Sequence, residues 1–438
     1  MRFLIVKFCL FEIVLCSILL TGCRKSDGPE SAAQREPDLA TGGRQQELQD
    51  VLSSSATASP TDVKAAVSRV GSLGGAARAV VNSGLLTEII IPDGSQLNEQ
   101  DIELFGNLTD LKKLQIFNCR FLNDELASKL SGLKQLTSLA LTNTVINDPT
   151  VEMISESFPE LSELDLSSNT NMTRGAMKFI AELSQLRSLT LVQNGFNDLS
   201  FRRLKSLQQL RALDLRGNME AGNMTLGIVG DLPNLVTFKH RSTAVTDQGM
   251  SELTKNSSLQ NLLVQDFMIT NESGNYLSNL KQLKQLEIFR CQGFGSDGVA
   301  ALEGLELERL TLRDLPSVDD SGMTAFQNLP KLKRLYLHEL DGVTDVGFQN
   351  LKNLSALELL DVWSVPQITD EAIEVLASLP NLRELSLRIT GISDRAIDLI
   401  LSMERLQSLV VKENSDLTTE ALERLKTRSW KKLDIGSE

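Results

Sequence analysis

"LRELSLRITGISDRAIDLILSMERL", residues 382–406, carries two periods in one stretch. Leu382, Leu385 and Leu387 make an LxxLxL core in which the last two leucines alternate as in a half-buried strand. After a short turn, Ser393-Asp394 supplies a helix start signal before "RAIDLI". Leu406 then begins the core again. Working outward, the same core recurs back to Leu86 in fourteen copies, with successive starts 24 or 25 residues apart, and a truncated copy begins at Trp430. A period held this closely over residues 86–435 means one quasi-linear array of stacked units, although 438 residues would otherwise suggest two or three domains.

The LxxLxL period resembles that of the leucine-rich repeat family. The resemblance implies an α/β solenoid, a horseshoe with a parallel β-sheet on the concave face and short helices on the convex face. The second theme of each unit, as in "VTDQGMSEL", "VTDVGFQNL" and "ITDEAIEVL", is similar to the cysteine-containing, F-box-associated subtype. Its Cys/Asn position falls at Cys119, Asn169, Asn194, Asn218, Cys291 and Asn414, whereas Phe267, Leu315, Leu340 and Val365 depart from it. No F-box segment is recognisable before Leu86. The Thr/Ser-Asp pairs at 344–345, 369–370 and 393–394 have a plain role: the hydroxyl caps a helix and the Asp complements its dipole. Ile373, Leu376 and Leu379 would cover the core.

The first residues read differently. Arg2 and Lys7 flank an apolar run that ends in Leu20-Thr21-Gly22-Cys23, which resembles the signal peptide and lipobox of bacterial lipoproteins. The resemblance implies cleavage after residue 22, diacylglycerol on Cys23, and a cell-envelope location. Arg24 and Lys25 in place of Asp imply the outer membrane in a Gram-negative cell. Glu12 inside the apolar run is a departure. Residues 23–60, rich in Ser, Ala, Gly, Gln and charge, lack the apolar surface to fold and read as a tether reaching roughly 30 to 37 Å. Residues 61–85 read as an N-terminal cap: a helix with Val63, Val67 and Val70 at helical spacing, then a hairpin turning at Asn82-Ser83-Gly84. Residues 86–438 form the repeat domain.

Chemistry finds little support. The net charge of −13 disfavours nucleic acid. "GFGSDG" at 293–298 matches a dinucleotide motif, but 49 residues on the same turn is "GVTDVG", and a solenoid lacks the crevice such a site needs. No calcium-loop or zinc-type spacing occurs, and only His240 and His338 could act as imidazole bases. The expectation is a non-enzymatic protein with no cofactor or metal. Cys119 and Cys291, seven repeats and so roughly 34 Å apart, are too distant to pair. Glycines 222, 227 and 230 in the sixth repeat predict irregular coil or a slight bend there. His240, in a core leucine slot of the seventh, reads as a neutral, hydrogen-bonded filler.

The residue just past the third leucine of each unit must face the open side of the sheet. Small and neutral in the first repeats, this column becomes Phe289, Arg313, His338, Trp363, Arg388 and Lys412 in the last, with Tyr336 in the neighbouring column. Exposed Trp, Tyr and Arg in one patch are the residue types that dominate interface energies. The reading is a partner-binding surface for a protein or peptide, with acidic segments well suited. The alternatives are an envelope polysaccharide stacked on Trp363 and Tyr336, or a structural protein associating through its ends. Trp430, in the first leucine slot of the last unit, reads as structural.

Overall fold

The computed structural model describes residues 58–436. The expected signal peptide, Cys23 and the expected tether as far as residue 57 lie outside the described residues. Sixteen strands form one open sheet in strict chain order. Strand β1 (Arg78–Asn82) pairs antiparallel with β2 (Leu85–Ile91), the expected hairpin, and every later strand runs parallel to its predecessor. The alternation read from the leucines holds: in the strand Glu384–Thr390, Leu385 and Leu387 are buried while Ser386 and Arg388 are only half-buried on the other face. One hydrophobic cluster runs from Ala66 to Leu425, so the array has a single continuous core. Because the leucine slots stay in phase, each parallel strand pairs with the next without a register shift, as in Leu360 with Leu385 and Leu385 with Leu409.

The cap helix runs from Pro60 to Ser72, with the Ser59 side chain accepting from the Thr61 N–H. Its buried residues are Ala66 and Val70; Val67, expected on the apolar stripe, is 38% exposed. Val67 lies only one residue, about 100° around the helix, from Ala66, and a face centred on Ala66 and Val70 turns it to solvent. Arg69 ties the helix to the first repeat through Asp101 at 2.8 Å. A left-handed residue ends most strands, from Asn118 (φ 58°) to Glu413 (φ 56°). Asn suits it, but Ile389 (φ 52°) is β-branched and pays about 1–2 kcal/mol there.

The Thr/Ser-Asp pairs do more than cap. Thr344, Thr369 and Ser393 accept from the backbone N–H two residues on, as expected. Each Asp in addition grips the following repeat. Asp345 accepts from the Thr369 N–H (2.8 Å) and hydroxyl (2.7 Å), and Asp370 and Asp394 do the same for Ser393 and Thr418. Asp124 and Asp247 repeat the clamp towards Thr150 and Asn147, and towards Thr270 and Ser273. Burial pushes both carboxyls up, but these donors outweigh it and hold them below the ordinary 3.8. Asp394 is likewise lowered, by the Thr418 N–H first and its hydroxyl second. A carboxylate with a depressed folded-state pKa stabilises fully above its unfolded value and loses that contribution as pH falls through the folded one. The thermal midpoint is therefore expected to be flat from pH 7 to about 5 and to drop below about 4. Circular dichroism melts of an Asp124→Asn, Asp247→Asn, Asp394→Asn variant should show a shallower acid limb; an unchanged limb would contradict the role of the clamps.

The sixth repeat is not irregular. Asn223–Gly230 is a helix, packed beside Asp247–Leu253 of the next unit. Its glycines answer a packing demand: a Cβ on Gly230 would lie 2.3 Å from the Glu252 carbonyl oxygen, and one on Gly222 2.5 Å from that of Ala244. His240 is fully buried in its leucine slot, with its ring nitrogens 3.1 Å from the Leu215 and 2.8 Å from the Ala221 carbonyl oxygens. Burial pushes its pKa below the ordinary value, so the neutral ring is the resident form, donating to one of the two. Cys119 and Cys291 are free and buried, and burial raises their thiols to about 11 and about 12.

Candidate partner-binding face

Six parallel strands, from Gln285–Phe289 to Ser408–Lys412, carry the aromatic and cationic column. The pairing sets Phe289 beside Arg313, then His338, Trp363, Arg388 and Lys412, one per strand, and Tyr336 beside Asp361 in the next column. The register deduced from the leucine period thus matches the pairing residue for residue.

What alternation alone could not give is the contact pattern. The Arg313 guanidinium lies over Phe289, 4.5 Å from the ring centroid, and over Trp363 at 5.1 Å. Arg388 approaches the same indole at 5.6 Å. His338 stands edge-on between Tyr336 (6.0 Å) and Trp363 (5.8 Å), and Arg309, unforeseen from the sequence, stacks on Tyr336 at 4.6 Å. Phe289, Arg313, Tyr336, His338, Trp363 and Arg388 therefore form one interlocked cluster, in which stacked guanidiniums gain about 0.5–2 kcal/mol each. Lys412 stands apart from it, paired with Asp434 at 2.8 Å.

The face is less cationic than its column suggests. Arg388 donates from one terminal nitrogen to both Asp361 oxygens at 3.2 Å, and His338 Nε2 lies 3.5 Å from Asp361. Burial pushes the Asp361 carboxyl up, but His338, Arg388 and Ser386 outweigh this and hold it below the usual carboxylate range. Arg241 and Arg290 share Asp266, both at 2.5 Å. Asp361 and Asp434 occupy the column two residues before the cations, a position the sequence does reveal; Glu339 follows His338 in the left-handed slot and is harder to place. Four polar atoms of this region are buried without a hydrogen-bond partner: Thr311 Oγ1, Arg313 Nε, His338 Nε2 and Arg388 Nε. Among the described residues, no group of three or more His, Cys, Asp or Glu is placed to hold a metal ion.

A family model described as a leucine-rich repeat region matches residues 142–411, more than half of the chain. The chain belongs to the leucine-rich repeat family. Solved structures extend the likeness of this leucine-rich repeat protein beyond the matched residues. An internalin of Listeria monocytogenes is 23% identical with a TM-score of 0.53, over 80% of this chain and 94% of that one. A chain of the yeast Rad7–Elc1 complex is 18% identical with a TM-score of 0.54, over 86% and 92%. At these identities the likeness is one of fold. No curated protein sequence matches the chain.

Proposed function

We propose that this protein is a non-enzymatic recognition scaffold of a bacterial cell envelope, held at a membrane by acyl chains on Cys23 and binding a protein or peptide on the C-terminal half of the open sheet face. The observation that carries the reading is the interlocked cluster from Phe289 to Arg388: rigid aromatics and guanidiniums on paired strands, half-buried before any partner arrives. Ordering such side chains in advance lowers the cost of binding. The similar chain in the yeast Rad7 and Elc1 complex is an instance of this fold within a protein assembly. A polysaccharide reading loses its platforms, since the rings of Phe289, Tyr336 and Trp363 each already carry a guanidinium.

A photo-crosslinking residue at position 363, in cells expressing the protein, is expected to give protein adducts that the same residue at the exposed helix position 327 does not. Trp363→Ala should weaken binding of that partner at least tenfold, or about 1.4 kcal/mol. In the same cells Cys23→Ser should release the protein from the membrane fraction. Equal adducts at both positions would sink the binding face, and unchanged fractionation would sink the anchor.

A further inference from the structure

We infer that Arg313 is the receptor for a carboxylate of the bound partner. This rests on the reading of the face as a protein-binding surface and goes further, in naming the chemistry that the partner must present. Five cations share the column just past the leucines: Arg216, Arg241, Arg313, Arg388 and Lys412. Four have a carboxylate of their own within hydrogen-bonding or close ion-pair distance: Asp214 at 2.8 Å, Asp266 at 2.5 Å, Asp361 at 3.2 Å and Asp434 at 2.8 Å. Arg313 does not. Its nearest carboxylate, Glu339, is 3.7 Å away, beyond hydrogen-bond length, and its Nε is buried with no partner.

The geometry makes that shortfall meaningful. Phe289 and Trp363 hold the guanidinium at 4.5 and 5.1 Å, and the side chain is 30% exposed. A guanidinium held by its faces keeps its N–H donors in its own plane, and that plane offers the two parallel donors that a carboxylate accepts. A half-desolvated cation whose nearest carboxylate stands beyond hydrogen-bond length is incompletely compensated, so the site gains from a ligand that supplies a direct acceptor. Thr311 Oγ1, two residues earlier on the same strand face, and His338 Nε2, on the paired strand, are also buried without a hydrogen-bond partner, as is Arg388 Nε. The carboxylates nearest to these groups stand off at ion-pair distance, Glu339 3.7 Å from Arg313 and Asp361 3.5 Å from His338 Nε2.

The carboxylate has two sources, an acidic side chain or a chain terminus. Trp363 fluorescence reports the site once Trp430 is replaced by Phe. Three ten-residue peptides are titrated into this full-length protein: Glu/Gly with an amidated terminus, its Gln/Gly counterpart, and the Gln/Gly peptide with a free terminal carboxylate. Binding of the first, at least tenfold tighter than the second, assigns an acidic side chain; preference for the third over the second assigns a terminus. In either case Arg313→Lys, which keeps the charge but not the fork, is expected to lose tenfold or more, and the exposed Arg334→Ala to lose nothing. Equal affinity for all three peptides, binding by none, or full binding by Arg313→Ala overturns the assignment. The two levels separate cleanly: adducts at position 363 that persist in Arg313→Ala would leave the binding face standing and remove the carboxylate receptor.

Discussion

Replacing Asn169 by leucine is expected to lower the free energy of unfolding by about 3–5 kcal/mol. Asn169 is fully buried between the third and fourth repeats, and its amide satisfies both sides of the junction. Its Oδ1 accepts from the Thr144 N–H (2.9 Å) and hydroxyl (2.7 Å), and its Nδ2 donates to the Leu141 (2.7 Å) and Leu166 (2.9 Å) carbonyls. Leucine is similar in shape but leaves the Thr144 N–H and hydroxyl without their acceptor and removes a donor from two carbonyls in a region that excludes water, and each unsatisfied buried group costs about 1–3 kcal/mol. Asn194, the same slot one repeat later, is the internal control. It donates to Leu166 at 2.8 Å, but its Oδ1 has no partner. Its replacement by leucine should cost at least about 1 kcal/mol less, since one half of the amide has nothing to lose. Urea denaturation of the two variants decides it, and equal costs would show that the hydrogen bonds accepted by Asn169 Oδ1 contribute nothing to stability.

The comparison of these two asparagines also marks how far sequence reasoning reaches. The slot was legible, because a 24- or 25-residue period assigns every residue of the repeats to a position, which yielded the strand register and the column from Phe289 to Lys412, while the turn residues Asn82-Ser83-Gly84 gave the hairpin before them. What a period cannot convey is which atoms of neighbouring repeats meet. The Asp345 clamp on Thr369 joins residues 24 apart, and the sequence offered only the local part of its role, the helix dipole. The same limit applied at the candidate face, where a column of cations read alone overstated the positive charge, since Asp361 and Asp434 answer Arg388 and Lys412 from two residues upstream on neighbouring strands. Arg313 and Arg388 look equivalent by position. Only geometry separates the one whose carboxylate lies at 3.2 Å from the one whose carboxylate stands off at 3.7 Å.

Gly230→Ala is expected to destabilise the protein by about 2–3 kcal/mol, while Gly227→Ala in the same helix stabilises it by up to about 1 kcal/mol. Helix propensity makes no distinction between the two: an added methyl reduces the backbone freedom lost on folding and favours either position. Read that way, both glycines are weak points, and irregular coil is the natural expectation for the segment. Packing reverses the sign at one of them. A Cβ on Gly230 would sit 2.3 Å from the Glu252 carbonyl oxygen and 3.5 Å from the Leu253 Cα, in the backbone of the helix of the next repeat. Neither atom can rotate away, so the two helices must part and the stack beneath them must open. At Gly227 the nearest atoms are those of the Glu252 side chain at 3.9 Å, ordinary contact with a flexible group. Thermal or urea unfolding of the two single variants therefore tests a difference in sign, which errors in absolute stability cannot produce. Stabilisation by both would mean that the sixth repeat is loose enough to yield; opposite signs would mean that its glycines bring the helices together.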